Sequence, residues 1–177
     1  IPVQIGTSTD WKQASGGTYF SIGIKTDGTL WGWGANISGE LGGGFSSIVP
    51  VQRGVLNTWQ SLFSGASHNL ALKTNGTLWA WGWNGEGQLG DGTNTQRNNP
   101  VQIGLATNWA GISTESFHSL GIKQDGTLWS WGLNTYGQLG DGTTTSRFEA
   151  QEVVGLSSSV LEVRANVDHT CALLSSG

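Results

Sequence analysis

Large apolar residues recur along this chain in short blocks, and the blocks themselves repeat. In segments 20–25, 68–73 and 118–123, large aliphatic residues alternate with glycine or alanine, as in Ile22-Gly-Ile24. Alternation with a period of two predicts β-strands with one face packed by aliphatic side chains and the other kept clear for a bulky neighbour. Asp-Gly or Asn-Gly separates each segment from a second apolar block, which predicts a β-hairpin.

The second block of every hairpin belongs to a repeated octapeptide. Its three copies are Asp27-Gly-Thr-Leu-Trp-Gly-Trp-Gly34, Asn75-Gly-Thr-Leu-Trp-Ala-Trp-Gly82 and Asp125-Gly-Thr-Leu-Trp-Ser-Trp-Gly132. Their first residues lie 48 and 50 positions apart, which indicates a repeat architecture rather than an active site. We expect the tryptophan pair of each copy to fill the clear face of the preceding strand.

Aligning the copies on their tryptophan pairs brings four short strand-like segments into register in each unit. In the first unit they are residues 2–6, a stretch led by Trp11, residues 20–25 and residues 29–34. Four strands in a unit of about 49 residues predict an all-β fold built from β-propeller blades. We place the repeats at 1–48, 49–98 and 99–148, with a partial fourth repeat at 149–177, all in a single propeller segment.

The succession of these motifs resembles a known family. A strand ending in Leu-Ala-Leu-Lys73, the octapeptide that follows it, Gly87-Gln-Leu-Gly-Asp-Gly-Thr93 and a closing Pro100-Val-Gln are similar to the regulator of chromosome condensation repeat, in particular its compact bacterial branch. The resemblance covers essentially the whole chain. It implies a propeller, usually of seven blades, of which this chain is about half. We expect the rest from a longer polypeptide, or from a second copy that associates through the open propeller edges.

Composition narrows the functional classes. The chain carries 8 basic and 12 acidic residues, a net charge of -4, and no basic cluster, so a nucleic-acid partner is not expected. No apolar run approaches the roughly 20 residues that span a bilayer, so membrane insertion is not expected either. The single cysteine, Cys171, is predicted to be a small buried hydrophobic residue.

The histidines are predicted to be structural. His68, His118 and His169 share one repeat position, which Phe20 fills in the first unit. Successive blades hold them apart, so they do not converge on a metal, and the phenylalanine favours packing or backbone hydrogen bonding.

Other motif matches are also explained by turns. Residues 85–90 match the letters of a dinucleotide-binding motif, but no helix follows to hold a pyrophosphate. Asp91 and Asp141 lack the alternating acidic residues of a calcium loop. We therefore predict no catalytic, cofactor-binding or metal-binding residues.

Differences between the repeats predict where a partner binds. Positions that hold the same residue in all repeats reflect packing that the repeats share. We therefore expect the functional residues in the loops, where the repeats differ. Aromatic and arginine side chains on loops of a rigid scaffold are the usual anchors of protein recognition. The candidate partner-binding residues are Phe45, Trp83, Arg97, Phe117, Tyr136, Arg147 and Phe148.

These observations predict a non-enzymatic scaffold for protein–protein recognition, in a segment of a larger bacterial protein that is extracellular or on the cell surface. The resemblance implies narrower alternatives: inhibition of a secreted enzyme such as a β-lactamase, or guanine nucleotide exchange on a small GTPase. Trp83, Tyr136 and nearby asparagines leave a carbohydrate-binding surface as a further alternative.

Overall fold

A computed structural model describes residues 7–176, which form fourteen short strands. The strands are β1 (Trp11–Gly16), β2 (Phe20–Lys25), β3 (Leu30–Gly34), β4 (Ser47–Gln52), β5 (Trp59–Ser64), β6 (His68–Lys73), β7 (Leu78–Gly82), β8 (Arg97–Gln102), β9 (Trp109–Glu115), β10 (His118–Lys123), β11 (Leu128–Gly132), β12 (Arg147–Glu152), β13 (Val160–Ala165) and β14 (Thr170–Leu174). Within residues 7–176, no helix is long and apolar enough to cross a membrane.

The strands form three four-stranded antiparallel sheets and one two-stranded sheet. The orders are β1-β2-β3-β4, β5-β6-β7-β8, β9-β10-β11-β12 and β13-β14. Each predicted Asp-Gly or Asn-Gly hairpin is present, joining β2 to β3, β6 to β7 and β10 to β11. The all-β fold and the four-stranded blade are therefore confirmed.

The sheets are offset from the predicted repeats by one strand. The Pro-Val-Gln segments at 50–52 and 100–102 pair with the preceding tryptophan strand and form the outer edge of that sheet. Proline suits this place because an edge strand tolerates a missing N–H group. The segment at 2–6, expected as a strand, lies outside the described residues, and the repeat boundaries stay a prediction.

The two faces of each sheet differ, and unlike faces pack together. Ile22, Ile24 and Leu30 of the first blade pack against Trp59 and Trp81 of the second. The second blade meets the third in the same way, and the third meets β13 and β14. The five residues named at the first interface are each at most 3% exposed. The first strands of successive sheets contact each other directly, so the sheets fan out from a common inner edge.

The clear face of the alternating strand is filled differently from our expectation. A Cβ atom at Gly23 would lie 2.7 Å from the ring of Trp11, and one at Gly121 would collide with Trp109. The tryptophan of the first strand, and not only the octapeptide pair, thus covers the small residue. Trp11 in turn contacts Trp31 and Trp33, with ring centroids 6.1 and 5.8 Å away.

The prediction that Cys171 is buried is wrong, because its side chain is exposed. Cys171 occupies the repeat position of Leu120, which is fully buried by the next sheet. Among residues 7–176 no sheet follows β14, so this aliphatic face, including the half-exposed Leu173, is open. Burial at this position therefore depends on a neighbouring blade.

Candidate functional site

The polar atoms of the octapeptide satisfy one another. The Asp27 Oδ1 atom accepts bonds from the backbone N–H and the hydroxyl of Thr29, at 2.9 and 2.7 Å. The Thr29 hydroxyl oxygen accepts the indole N–H of Trp31 at 2.8 Å. The bonds from Thr29 hold the pKa of Asp27 below its usual value. The other two copies bond alike, so the first tryptophan keeps no free polar atom for a ligand.

The second tryptophan of the octapeptide bonds to the preceding blade. The indole N–H of Trp81 donates to the carbonyl of Glu40, and that of Trp131 to the carbonyl of Gln88, both at 2.9 Å. Both rings are fully buried. Each therefore fixes the long loop of the blade before it, which shapes the end of the molecule where those loops emerge.

We call this end the loop rim. It consists of the loops after the third strands and the turns between the first and second strands, at residues 35–46, 83–96, 133–146, 17–19, 65–67 and 116–117. The opposite end, which we call the hairpin rim, consists of the hairpin turns and the connections between sheets, at residues 26–29, 74–77, 124–127, 53–58, 103–108 and 153–159. All seven candidate residues lie in the loops of the loop rim or directly after them.

Two of the candidates, Arg97 and Arg147, hold their own loops in shape. The Nε and Nη2 atoms of Arg147 donate to the Asp141 carboxylate, each at 2.7 Å, and Arg97 binds Asp91 in the same way. Burial opposes ionisation of Asp141, but the bonds from Thr143 and Arg147 outweigh it and lower its pKa to about 2. The carboxylates of Asp91 and Asp141 therefore bond within their own loops, in agreement with the prediction that these residues form turns. A role for the arginines in partner binding stays a prediction.

Trp83 and Phe117 are the candidates that contact each other. Their ring centroids are 5.2 Å apart at 65°, and the pair joins the second blade to the third. Phe148 packs against Gly87 of the preceding blade, whereas Phe45 and Tyr136 are 90% and 72% exposed. The structure thus places the aromatic candidates along one rim, spread over three blades, with one edge-to-face pair among them.

The histidines are buried where the next blade covers them. His68 and His118 are fully buried, whereas His169 on the open face is exposed. The Nε2 atom of His68 lies 2.7 Å from the Thr114 hydroxyl and 3.0 Å from the Ser119 hydroxyl. The expectation was packing or backbone hydrogen bonding; His68 is packed in the interior, and the hydrogen-bond partners of its Nε2 atom are side-chain hydroxyls. Within residues 7–176, no group of three or more His, Cys, Asp or Glu side chains is arranged to hold a metal ion.

The hydroxyl partners define the protonation of His68. The Thr114 hydroxyl donates to a backbone carbonyl at 2.8 Å, and so does the Ser119 hydroxyl. Each hydroxyl has a single proton, so the Nε2 atom of His68 must be the donor to both. The Nδ1 atom is then unprotonated, and it is buried without a partner. Burial lowers the pKa of His68 to about 3, and His118 is similar at about 4.

Sequence reasoning missed Arg53. This residue of the second repeat is 7% exposed, and it stands where the third and the partial fourth repeats have Ile103 and Val153. The signal was a difference between repeats, but it lies directly after the edge strand β4, outside the loops that carry the predicted candidates. The exposed Tyr19 and Ile37, on the loop rim of the first blade, were also missed, although they too differ between repeats.

The chain matches a repeat model of one family over more than half its length. Residues 75–122 and 125–173 match the model described as "Regulator of chromosome condensation (RCC1) repeat". A second model with the same description matches residues 11–40 and 59–88. A search of curated protein sequences finds no significant match.

Solved structures with the same fold include human WBSCR16 and Prp20p of Saccharomyces cerevisiae. Each is 22% identical to this chain with a TM-score of 0.85, and the alignments cover 94% and 97% of this chain. A structure of Kap60 bound to yeast RCC1 (Prp20) aligns over 98% of this chain with the same TM-score. The chain spans 44 to 45% of the length of these proteins, as expected of a partial propeller.

Proposed function

The chain belongs to the regulator of chromosome condensation (RCC1) repeat family, and we propose on this basis that it is a non-enzymatic scaffold that binds a protein partner through its loop rim. One observation carries the proposal: the aromatic side chains that differ between repeats lie along one rim. Phe45 and Tyr136 project into solvent, and the Trp83–Phe117 pair links two blades. Exposed aromatic residues on a rigid frame bury large areas at low entropic cost, which suits protein recognition.

The rigidity of the rim supports this proposal. Aspartate–arginine pairs hold the second and third loops from within, and indole N–H groups of the next blade hold the first and second. A preformed surface loses less conformational entropy on binding than a flexible one. The structure of Kap60 bound to yeast RCC1 (Prp20) shows a protein partner for that relative.

A capture experiment combined with a glycan array tests the proposed class of partner. Immobilised chain is exposed to the proteins of the source organism and, separately, to arrayed glycans. The proposal expects at least one saturable protein partner and no glycan response. A glycan response without a protein partner would instead assign the rim to carbohydrate binding.

We further propose that another blade of the same kind covers each open face. Trp11, Trp31 and Trp33 are only half-buried on the first blade, and Cys171 and Leu173 are exposed on β14. Inside the molecule the corresponding tryptophan and aliphatic faces pack against each other. Either a longer chain or a second copy would supply such a blade, and a monomer in light scattering would exclude the closed dimer.

The proposed setting is a bacterial protein that is secreted or on the cell surface. This rests on the compact repeat alone. Sequencing the complete reading frame and fractionating the cells that produce it would test the setting, and a β-lactamase inhibition assay would test the narrower inhibitor function.

A further inference from the structure

A groove runs along the outside of the molecule between the outermost strands of the first and second blades. We call it the outer groove. It has a volume of about 460 Å³ and is lined by Val51, Arg53, Leu56, Trp59, Trp79 and Pro100, together with the glycines of loop 42–44. The volume lies within the range of ordinary ligand sites, and the walls are mostly apolar.

Arg53 brings a buried charge to this groove without a counterion. Its guanidinium donates to three backbone carbonyls, those of Gly43 at 2.8 Å, Gly32 at 3.1 Å and Phe45 at 3.2 Å. The Nε–H group is buried and unpartnered, and Arg53 forms no ion pair among residues 7–176. A buried charge that lacks an opposite charge is costly. An anion in the groove would relieve that cost.

The guanidinium can be reached from the groove. A Cβ atom at Gly44 would lie 2.7 Å from the Nη1 atom of Arg53. Gly44 is itself exposed and lines the groove, so no side chain separates Nη1 from solvent at this point. Nη1 carries two N–H bonds, of which the Gly43 carbonyl uses one.

A second cation lies behind the tryptophan wall. The Nζ atom of Lys73 is 3.4 Å from the ring centroid of Trp79 and 4.8 Å from that of Trp59. Lys73 is 8% exposed and forms no ion pair within the described residues. The surroundings of the outer groove are therefore positive, although the chain as a whole carries -4.

The next groove provides an internal comparison. Between the second and third blades, the equivalent groove has Ile103 where the first has Arg53, and Asp91 and Glu149 also line it. The blade therefore packs without an arginine at this position. The loop of the first blade, 35–46, is two residues shorter than the equivalent loop 83–96 of the second blade. In the shorter loop Gly43 takes the place of Asp91 and adopts φ +123°, a conformation that requires glycine.

We propose that the outer groove binds an acidic peptide segment of a protein partner, with a carboxylate on Nη1 of Arg53 and a neighbouring apolar side chain against the half-buried Trp79. Charge-assisted bonds from arginine to carboxylate supply the selectivity. Strand addition is not the mode of binding, because Pro50 on the edge strand β4 lacks an N–H group. The groove shares the glycines of loop 42–44 with the loop rim but is lined by none of the aromatic candidates, so either proposal can fail without the other.

Binding of short peptides to the 177-residue chain tests this inference. The probes are hexapeptides with blocked termini, in which each type of apolar residue in turn stands beside Asp or Glu. Each acidic peptide is compared with its amide twin, a peptide that has Asn or Gln in place of the acid. Quenching of tryptophan fluorescence reports occupancy, because two tryptophans line the groove. We expect at least one acidic peptide to bind on the order of tenfold more tightly than its amide twin, as the loss of one charged hydrogen bond implies. If no acidic peptide surpasses its twin, the inference is wrong.

Matched variants locate the peptide. Leu56→Glu places a negative charge at the groove without touching the carbonyls that hold Arg53, and Ala106→Glu makes the equivalent change in the second groove. Leu56→Glu should weaken binding by about tenfold or more, whereas Ala106→Glu and the rim variant Tyr136→Ser should leave it unchanged. Unaltered binding by Leu56→Glu, or loss by Tyr136→Ser, would overturn the assignment to the outer groove. Arg53→Ile, which installs the residue that the third repeat has at this position, should abolish the preference for the acidic twin.

Discussion

Acidification from pH 8 to pH 5 should destabilise this protein through its two buried histidines. The pKa of His68 is lowered to about 3 by burial and by the charge of His118. The pKa of His118 is lowered to about 4, because burial and His169 outweigh the opposing effect of Asp168. In the unfolded chain both titrate near the ordinary value of 6.5. Below about pH 6.5 the unfolded chain binds protons at both histidines, whereas the folded protein does not. The free energy of unfolding therefore decreases as the pH falls.

The size of the effect follows from the difference in proton uptake. At pH 5 an unfolded histidine lies about 1.5 pH units below its pKa, while the folded one remains mostly neutral, so each costs about 2 kcal/mol. His68 and His118 together therefore cost about 4 kcal/mol between pH 8 and pH 5. The aspartates with lowered pKa values lose their stabilising effect only at lower pH, since their ordinary value is 3.8.

Urea unfolding followed by tryptophan fluorescence measures this cost at the two pH values. The variant His68→Phe provides the matched comparison, because Phe20 fills the same repeat position and is 5% exposed. Its loss of stability between pH 8 and pH 5 should fall from about 4 to about 2 kcal/mol. The nitrogen chemical shifts of His68 should report the Nε2–H form throughout this range. Equal pH dependence in the variant and the parent chain would refute the reasoning, as would protonation of His68 above pH 5.

Three further experiments test how the blades pack and how their loops are held. Trp131→Phe removes an indole N–H bond to a loop carbonyl and should lower the free energy of unfolding by about 1 kcal/mol or more, measured by urea unfolding. An unchanged free energy would contradict the claim that this bond fixes the loop. Gly132→Ala and Gly142→Ala both add a methyl group at positive φ, but only the first collides with neighbouring backbone, so its melting temperature should fall clearly further. A double-mutant cycle with Asp141→Asn and Arg147→Ala should give a coupling energy of about 1 kcal/mol, because the arginine is about one-third exposed; additive effects would show that the pair does not hold the loop.

Local patterns predicted the blade well because it is built from local signals. The Asp-Gly and Asn-Gly turns need glycine at positive φ, which a sequence displays directly. The alternation around Gly23 correctly indicated a face kept clear for a bulky residue. It did not reveal that Trp11 supplies much of that bulk, since β1 is brought alongside β2 only by pairing of the strands.

Contacts between blades were harder to predict. The apolar pattern around Cys171 is the same as that around Leu120, yet burial depends on whether another sheet lies against it. Arg53 looks like one more polar residue after an edge strand. Only the packed structure shows that its guanidinium turns inward to three carbonyls and lacks a counterion.

The most direct test of the account compares partner capture by two matched double variants. Phe45→Ser with Tyr136→Ser removes exposed aromatic residues from the loop rim, and Leu105→Ser with Val154→Ser removes exposed aliphatic residues from the hairpin rim. All four side chains are at least 72% exposed, so neither variant should disturb the fold. The account predicts that the loop-rim variant loses the captured partner while the hairpin-rim variant retains it. Retention by the loop-rim variant, or loss by the hairpin-rim variant alone, would contradict the central claim.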